Sequence, residues 1–210
     1  MNDFKIHCSQ IGKIMSNPPA NKKGELSAVC TTYLKEWYAG EREEIFSKYI
    51  NKGNIVEGKN IEFMSEIFGV QYEKNTVQMY DEFMVGTCDV VHDDMIADIK
   101  SPWDIKTMNE KVDKEEIDKD YEWQGRGYMR LWNKTKFRLF YGLQNTPSMG
   151  EYIKEVIYDD MPIELRWVAF DIQRDIIIEQ EIVNRVLQCR AWLADYDKKI
   201  KSRLGKVIEV

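Results

Sequence analysis

The sequence has no long apolar run and little histidine. No stretch of the 210-residue chain approaches the roughly 20 consecutive apolar residues that span a bilayer. The amino-terminal residues also lack the charged-then-apolar order of a secretory signal peptide. We therefore expect a protein of the cytoplasm without a membrane partner.

Cysteine is scarce, and its spacing is not that of a metal centre. The four cysteines, Cys8, Cys30, Cys88 and Cys189, occur singly, and no pair has the CxxC spacing of zinc or iron–sulfur ligands. With only two histidines in the chain, a zinc site at His92 is not favoured either. We expect no iron–sulfur cluster, and four small buried thiols in a reducing compartment.

The composition is that of an ordered globular protein. Apolar residues make up 43% of the chain and aromatic residues 12%, which favours a substantial core. The length predicts a single domain over residues 1–210. A net charge of −6 argues against a protein that coats nucleic acid, although it allows a local basic groove.

Helical patterns occupy the first third of the chain. Ser9 is placed to cap a short helix that ends near Ser16, before an exposed loop. Gly40 is placed to end a second helix, and apolar residues recur at helical spacing up to Phe68. After the short helix that starts at Ser9, helices are predicted over Leu26–Ala39, Glu41–Tyr49 and Gly53–Phe68.

The remainder of the chain alternates between extended and helical patterns. Short extended stretches are expected over residues 70–80, and a charged, mobile segment over residues 106–120. The predicted catalytic core covers about residues 53–160. The order indicates an α/β or α+β fold, with a mixed central sheet flanked by helices. The predicted strands are 83–91, 95–100, 136–143 and 152–158, and the predicted helices are 121–132 and a long C-terminal helix over about 162–200, strongest over 162–196.

The hairpin predicted around residues 92–94 brings charged side chains together. If Asp93 and Asp94 form a two-residue turn, Asp89 lies directly opposite Asp98 on one face of the hairpin. Lys100 points to that same face, because strand side chains alternate. Two carboxylates and an ammonium group would then converge at one end of the hairpin.

This cluster has a catalytic and a structural interpretation. Neighbouring carboxylates raise one another's pKa unless a cation is present, and Mg²⁺ prefers such oxygen ligands. The main-chain carbonyl of Ile99 could serve as a further ligand, and Lys100 could orient or deprotonate a water molecule. The structural alternative is an exposed polar face with Asp98 and Lys100 as a weak surface pair. The charge pattern alone leaves both open.

The flanking motifs resemble those of a known superfamily. The segments Gly53-Asn54-Ile55-Val56-Glu57, Gly86-Thr87-Cys88-Asp89, Asp98-Ile99-Lys100-Ser101-Pro102 and Tyr121-Glu122-Trp123-Gln124 follow one another in that order. This pattern resembles the PD-(D/E)XK nucleases, in particular the phage lambda exonuclease (YqaJ-like, RecB-type) branch, and the resemblance implies a restriction-endonuclease-like core. The segment from Ile6 to Met15 is similar to that family's opening helix. Cys88 departs from the family pattern, in which a proline precedes the first motif aspartate.

The resemblance implies a role for each matching position. Asp89, Asp98 and the Ile99 carbonyl would bind metal, with Glu57 contributing a carboxylate directly or through water. Lys100 would be the catalytic lysine, and Gln124 would orient the attacking water or a phosphate oxygen.

A second group of residues is expected to contact DNA. By the resemblance, Ser9 matches the position that the family's exonucleases use near the DNA 5′-phosphate. A helix N-terminus with a hydroxyl group also suits an anion. Lys13 is placed with Ser9 in this 5′-phosphate region. Arg126 and Arg130 share a helix face and are candidates for phosphate contact, although an ordinary solvated face is equally compatible.

The implied function is a Mg²⁺-dependent deoxyribonuclease, with Mn²⁺ expected to substitute. The resemblance points to a phage-type 5′–3′ exonuclease acting on double-stranded DNA with free ends. It also suggests a single-strand annealing recombination protein as a partner and a trimeric ring as the homo-oligomer. The alternatives are a structure-specific or nicking endonuclease of the same fold and a non-catalytic, metal-free interaction protein.

Overall fold

The computed structural model describes residues 4–40, 47–148 and 153–205. Short 3-10 turns lie at Cys8–Gln10, Ala20–Lys22 and Ile163–Leu165. The helices of these ranges are α1 (Ile11–Met15), α2 (Ala28–Ala39), α3 (Lys48–Phe68), α4 (Ile105–Val112), α5 (Lys119–Trp132) and α6 (Ile176–Arg203). The strands are β1 (Ile6–His7), β2 (Met79–Tyr80), β3 (Met84–Gly86), β4 (Val90–His92), β5 (Met95–Lys100), β6 (Lys136–Gly142) and β7 (Trp167–Gln173).

A mixed four-stranded sheet forms the centre of the fold, in the order β4-β5-β6-β7. Strand β5 is antiparallel to β4 but parallel to β6, and β6 is antiparallel to β7. A second sheet has the order β1-β3-β2, with β1 parallel to β3. The mixed α+β class and the long C-terminal helix are thereby confirmed.

The two faces of the central sheet carry separate apolar clusters. Because side chains alternate along β6, Phe137 and Leu139 lie in one cluster and Phe140 lies in the other. The larger cluster also contains Met129 of α5, and the smaller contains Met64 of α3. Helix α3 therefore covers one face of the sheet, while α1, α5 and α6 lie on the other.

Local capping explains where several helices begin and end. The Ser27 hydroxyl accepts the Cys30 N–H at the start of α2, and Gly40 ends that helix at φ 73°. Helix α3 ends in the same way at Gly69, with φ 63°. The Ser9 cap was predicted wrongly: Ser9 lies inside a 3-10 turn, and α1 starts only at Ile11.

Four further element predictions differ from the structure. The strand predicted over residues 83–91 is split into β3 and β4, which belong to different sheets. The segment predicted to be mobile contains α4, whose amino terminus is capped by Asp104. The predicted C-terminal helix starts only at Ile176, because residues 167–173 form β7 instead. Over residues 153–158, the predicted strand is reduced to an isolated bridge between Val156 and Thr146. Most of the helix predicted over residues 41–49 lies outside the described residues.

The predicted burial of the four cysteines is confirmed, because all four thiols are free and buried. Cys30 of α2 and Cys189 of α6 bring their sulfur atoms within 3.7 Å of each other. In the part of the chain described, no helix is both long and apolar enough to cross a bilayer.

Candidate active site

The hairpin of β4 and β5 has the predicted two-residue turn. Val90 pairs with Ala97 and His92 with Met95, which is the register expected from a turn at Asp93 and Asp94. Asp93 adopts a positive φ of 45°, as a tight hairpin turn requires. The ladder ends at Val90. Asp89 is therefore not paired with Asp98 in the ladder, although the turn had predicted that pairing. Its N–H donates to the Ala97 carbonyl instead.

Asp98 lies at the centre of the site and is almost fully buried in the middle of β5. Its Oδ1 accepts a hydrogen bond of 2.9 Å from Gln124 Nε2 of α5. Its Oδ2 lies 2.6 Å from Lys100 Nζ in an ion pair, yet the direction of approach is not that of a hydrogen bond. Oδ2 is therefore a buried carboxylate oxygen with no hydrogen-bond donor among the described residues. Among the described residues, the Lys100 ammonium is the ion-pair partner that compensates the charge of this carboxylate, and the open lone pairs of Oδ2 can also accept a divalent cation.

Asp89 reaches the same region from the residue preceding β4. Its Oδ2 accepts a hydrogen bond of 2.6 Å from the Ile99 N–H. Burial, together with the nearby charges of Asp98 and Glu57, raises the pKa of the Asp89 carboxyl to about 7, against the opposing effects of the Ile99 N–H and Lys100. The two carboxylates are therefore close enough for the charge of Asp98 to disfavour ionisation of Asp89.

Lys100 remains an ammonium group in this environment. Burial alone would lower its pKa, but the Asp98 carboxylate outweighs that effect and holds the pKa above its usual value. Its Nζ also lies 5.0 Å from the centre of the Tyr121 ring. The structure therefore favours Lys100 as a positive charge that orients oxygen atoms, rather than as a free base.

Glu57 lies on α3, on the other side of the groove from the β5 residues. Its carboxylate makes an ion pair of 2.9 Å with Lys74, and it contributes to the electrostatic field at Asp89. Within the ranges the structure describes, no three acidic, histidine or cysteine side chains converge tightly enough to form a ready-made metal cage. A direct Glu57 ligand would require this carboxylate to leave Lys74.

An open groove of about 480 Å³ separates α3 from the end of β5. Glu57, Ile99 and Lys100 line it and face a space that a substrate can enter, whereas Asp89 and Asp98 are not among its lining residues. Aromatic side chains form much of the remaining wall, which is suited to nucleotides. These aromatic residues are Tyr49, Trp103, Tyr121 and Tyr141.

Ser9 and Gln124 line a neighbouring cleft of about 490 Å³. Tyr121 borders both this cleft and the groove, and Gln124 joins the cleft to Asp98 through its hydrogen bond to Oδ1. Lys13 is not among the residues that line the cleft, and its ammonium lies over the Tyr33 ring at 5.4 Å. Asp118 and Asp120 are among the lining residues, which gives the cleft a mixed charge.

The two arginines of α5 are engaged within the protein. Arg126 is buried and donates to the Glu122 carboxylate and the Gln173 carbonyl. Arg130 pairs with Asp81 at 2.8 Å. A phosphate contact by either guanidinium would have to break these bonds, so neither arginine is proposed as a DNA contact.

The donor set fits a hard divalent cation. The Asp89 and Asp98 carboxylates and the Ile99 carbonyl supply oxygen atoms, which Mg²⁺ and Mn²⁺ prefer. The pKa of Asp89, raised by burial and by the charge of Asp98, indicates that Lys100 does not fully balance the two carboxylates, and Asp98 Oδ2 accepts no hydrogen bond from the described residues.

Sequence reasoning missed the aromatic wall and the lysine behind it. Lys52 of α3 is fully buried and donates to main-chain carbonyls of the segment after Lys100. Its position between two predicted helices gave no signal, because lysines are usually solvated.

These features define a mixed-sheet core in which an acidic pair, a lysine and a glutamine lie beside one groove. A comparison of the sequence with protein-family models finds no match, and neither does a comparison with curated proteins. Solved structures, in contrast, match over nearly the whole chain.

The structural neighbours are exonucleases. A phage-related exonuclease from Haemophilus somnus 129PT has a TM-score of 0.78 and 24% identity, covering 94% of this chain and 97% of that one. The alkaline exonuclease LHK-Exo from Laribacter hongkongensis has a TM-score of 0.70 and 16% identity, covering 96% and 95%. Its complex with dAMP gives a TM-score of 0.71 and 17% identity over 97% and 96%. The restriction-endonuclease-like fold implied by the motif resemblance is confirmed.

Proposed function

We propose that this protein is a Mg²⁺-dependent deoxyribonuclease that hydrolyses duplex DNA from a free 5′ end. The observation that carries the proposal is the buried Asp98, one oxygen of which is held by Gln124 while the other lies beside Lys100 without a hydrogen bond. The exonuclease neighbours support the same interpretation, and one of them was solved with dAMP.

Asp89, Asp98 and the Ile99 carbonyl would hold the cation, with Glu57 at the opposite wall. When bound, the cation supplies Lewis acidity to the scissile phosphate and to a water nucleophile. Gln124 keeps the Asp98 carboxylate in one orientation through its hydrogen bond to Oδ1. That bond leaves Oδ2 directed toward the lysine side of the site.

Lys100 contributes a fixed positive charge at the groove. Its ammonium can orient the phosphate and offset the negative charge that develops during phosphodiester hydrolysis. Ser9, in the adjoining cleft, supports binding of the 5′ end, since its hydroxyl can donate to a terminal phosphate oxygen. The aromatic side chains of the groove provide surfaces on which the bases of a separated strand can stack.

The test is a nuclease assay on end-labelled linear duplex DNA and on covalently closed circular DNA. With Mg²⁺ or Mn²⁺ we expect degradation of the linear DNA and survival of the circular DNA, because an exonuclease requires an end. A Lys100→Ala variant should lose at least about 100-fold in rate, as removal of one transition-state donor typically does. Lys59→Ala, which changes an exposed lysine of α3, is the matched control.

Two results would contradict the proposal in different ways. Cleavage of the closed circular substrate would identify an endonuclease of the same fold. A wild-type protein inert on every DNA form, with no heat of Mn²⁺ binding in calorimetry, would identify a non-catalytic protein.

A further inference from the structure

Lys52 is a buried cation next to the proposed active site. Its side chain is fully buried, and burial lowers the pKa of its ammonium to about 8, although the charge of Asp104 opposes the effect. Among the described residues no carboxylate forms an ion pair with it. Burying an ammonium group without a paired carboxylate costs free energy, so its contacts must explain why it lies there.

Those contacts are with the main chain that follows Lys100. Lys52 Nζ donates to the Pro102 carbonyl and to the Trp103 carbonyl, both at 2.8 Å. It also lies 5.8 Å from the centre of the Trp103 ring and 5.6 Å from that of Tyr158. Two carbonyls and two ring faces thus surround the ammonium and replace part of its hydration.

A second polar residue of α3 holds the same segment. Asn60, eight positions and about two turns after Lys52, donates to Ser101 Oγ at 2.7 Å and to the Gly142 carbonyl at 3.0 Å. Gln144 in turn donates to Asn60 Oδ1. Helix α3 is therefore attached to residues 101–103 at two points along one of its faces.

These attachments join the two walls of the groove. One wall is α3, with Gly53 and Glu57, and the other is the end of β5, with Ile99 and Lys100. The Lys52 hydrogen bonds run from the first wall to residues 102–103, which directly follow the second wall in the sequence. Loss of the ammonium would leave the Pro102 carbonyl without its donor, and the segment after Lys100 would be free to move away from α3.

We propose that Lys52 is a positioning residue that fixes the spacing between the Glu57 wall and the Ile99–Lys100 wall, and thereby sets cation affinity and turnover. The proposal rests on the proposed function, since it assigns the groove to a metal-dependent reaction. Lys52 touches neither the groove nor the acidic pair, so it acts through the backbone of residues 102–103.

The test compares Lys52→Met and Lys52→Gln with the control Lys59→Met, an exposed lysine on the same helix. Isothermal titration with Mn²⁺ is performed well below the melting temperature of each variant, so that every sample is folded. We expect Lys52→Met to weaken Mn²⁺ binding by about 10-fold, as loss of an outer-shell support typically does. Lys52→Gln, which keeps a donor for one carbonyl, should lose less, and Lys59→Met should match the wild type.

Kinetics on linear duplex DNA give the second measurement. A fall of about 10-fold in kcat with an unchanged KM for DNA supports a positioning role, because the lysine does not face the DNA. A lower melting temperature with wild-type Mn²⁺ affinity and kcat would show a purely structural lysine and overturn the proposal.

A variant that fails to fold, and a failure of the proposed nuclease function, can each be distinguished from a failure of the Lys52 proposal. If Lys52→Met does not fold, the Lys52→Gln result decides: reduced Mn²⁺ affinity supports the proposal, and wild-type affinity overturns it. If the wild type binds Mn²⁺ but cleaves no DNA, the proposed function fails while the affinities still judge Lys52.

Discussion

At the scale of single residues, the pKa of Asp89 shows how the charges of the site are balanced in the absence of a divalent cation. Its folded-state pKa of about 7 is well above the ordinary 3.8 of an aspartate. Between these two values the folded protein binds more protons than the unfolded chain. The stability that this group contributes is therefore lost as pH rises from about 4 to about 7 in the absence of metal.

An Asp89→Asn variant should remove this pH dependence. In the presence of a chelator, we expect it to melt several degrees above the wild type at pH 8 and close to the wild type at pH 4. One pKa unit is about 1.4 kcal/mol, and each 1 kcal/mol moves the melting temperature of such a chain by roughly 2–4 °C. Differential scanning fluorimetry across this pH range provides the measurement.

The control for this experiment is Glu62→Gln, which changes an exposed carboxylate of α3. Its melting temperature should follow that of the wild type at every pH. Parallel curves for Asp89→Asn and the wild type would contradict the assignment of a carboxyl protonated near neutral pH. Added Mn²⁺ should stabilise the wild type and have little effect on Asp89→Asn.

Residue by residue, the sequence allowed prediction of the groups that gather on the hairpin, but not of those that support them. The turn at Asp93 and Asp94 gives the register locally, so Asp98 and Lys100 could be placed from alternation alone. Lys52 and Arg126 could not be assigned in this way. Their partners lie in distant segments, and a charged residue in an isolated helix pattern predicts a solvated face.

At the scale of elements, the packing of α5 against β6 determines how far Gln124 reaches. Gly125 lies so close to β6 that an added Cβ would be only 2.3 Å from a Phe137 ring carbon. Real Cβ atoms do not approach carbon this closely, so any larger residue must displace the buried Phe137 ring or the helix itself. Close packing at Gly125 thus places the preceding residue, Gln124, where its side chain contacts Asp98.

A Gly125→Ala variant should therefore be destabilised by about 1–3 kcal/mol, the typical cost of overpacking. It should also lose nuclease activity, because the displaced helix carries Gln124 away from Asp98. Chemical denaturation and the assay on linear duplex DNA measure the two effects. Gly58→Ala in α3 is the matched control, since an added Cβ there meets no atom within 4 Å.

The control has an expected sign of its own. At an exposed helix position, alanine is favoured over glycine by roughly 0.5–1 kcal/mol, so Gly58→Ala should gain stability and keep activity. Equal stability changes in the two variants would show that helix propensity, not contact with Phe137, governs Gly125.

Elements with local signals were predicted well, whereas β7 was not. Gly40 and Gly69 end their helices as the sequence indicated, because a left-handed cap needs only a glycine. Residues 167–173 are a strand because they pair with β6. That partner lies some thirty positions away, and the apolar residues of this segment fit a helical pattern equally well. Pairing of this kind is a tertiary effect that local periodicity does not report.

At the scale of the whole molecule, stability is greatest where strands are enclosed on both sides. Strands β5 and β6 each have two hydrogen-bonded neighbours, while β4 and β7 are at the edges of their sheet. Helices cover both faces, so β5 and β6 are also the most deeply buried strands.

We expect the amides of Ile96–Ile99 and Phe137–Tyr141 to exchange with solvent most slowly. Their exposure requires opening of the whole sheet, whereas edge strands and helix ends open locally. Hydrogen exchange followed by mass spectrometry would show this as late deuterium uptake in peptides covering the two central strands. Faster exchange in β5 than in β4 would contradict the strand order.

The parallel pairing of β5 with β6 also has a consequence for folding of the chain during its synthesis on the ribosome. The first paired residues, Met95 and Lys136, lie 41 positions apart, so the hairpin that bears both acids is synthesised well before its neighbour. Such distant contacts form late in folding, because a long loop must close first. A nascent chain that stops short of β6 carries Asp89, Asp98 and Lys100 but has no enclosed strand to hold them. The proposed enzyme is thus inert on the ribosome until most of its length has emerged.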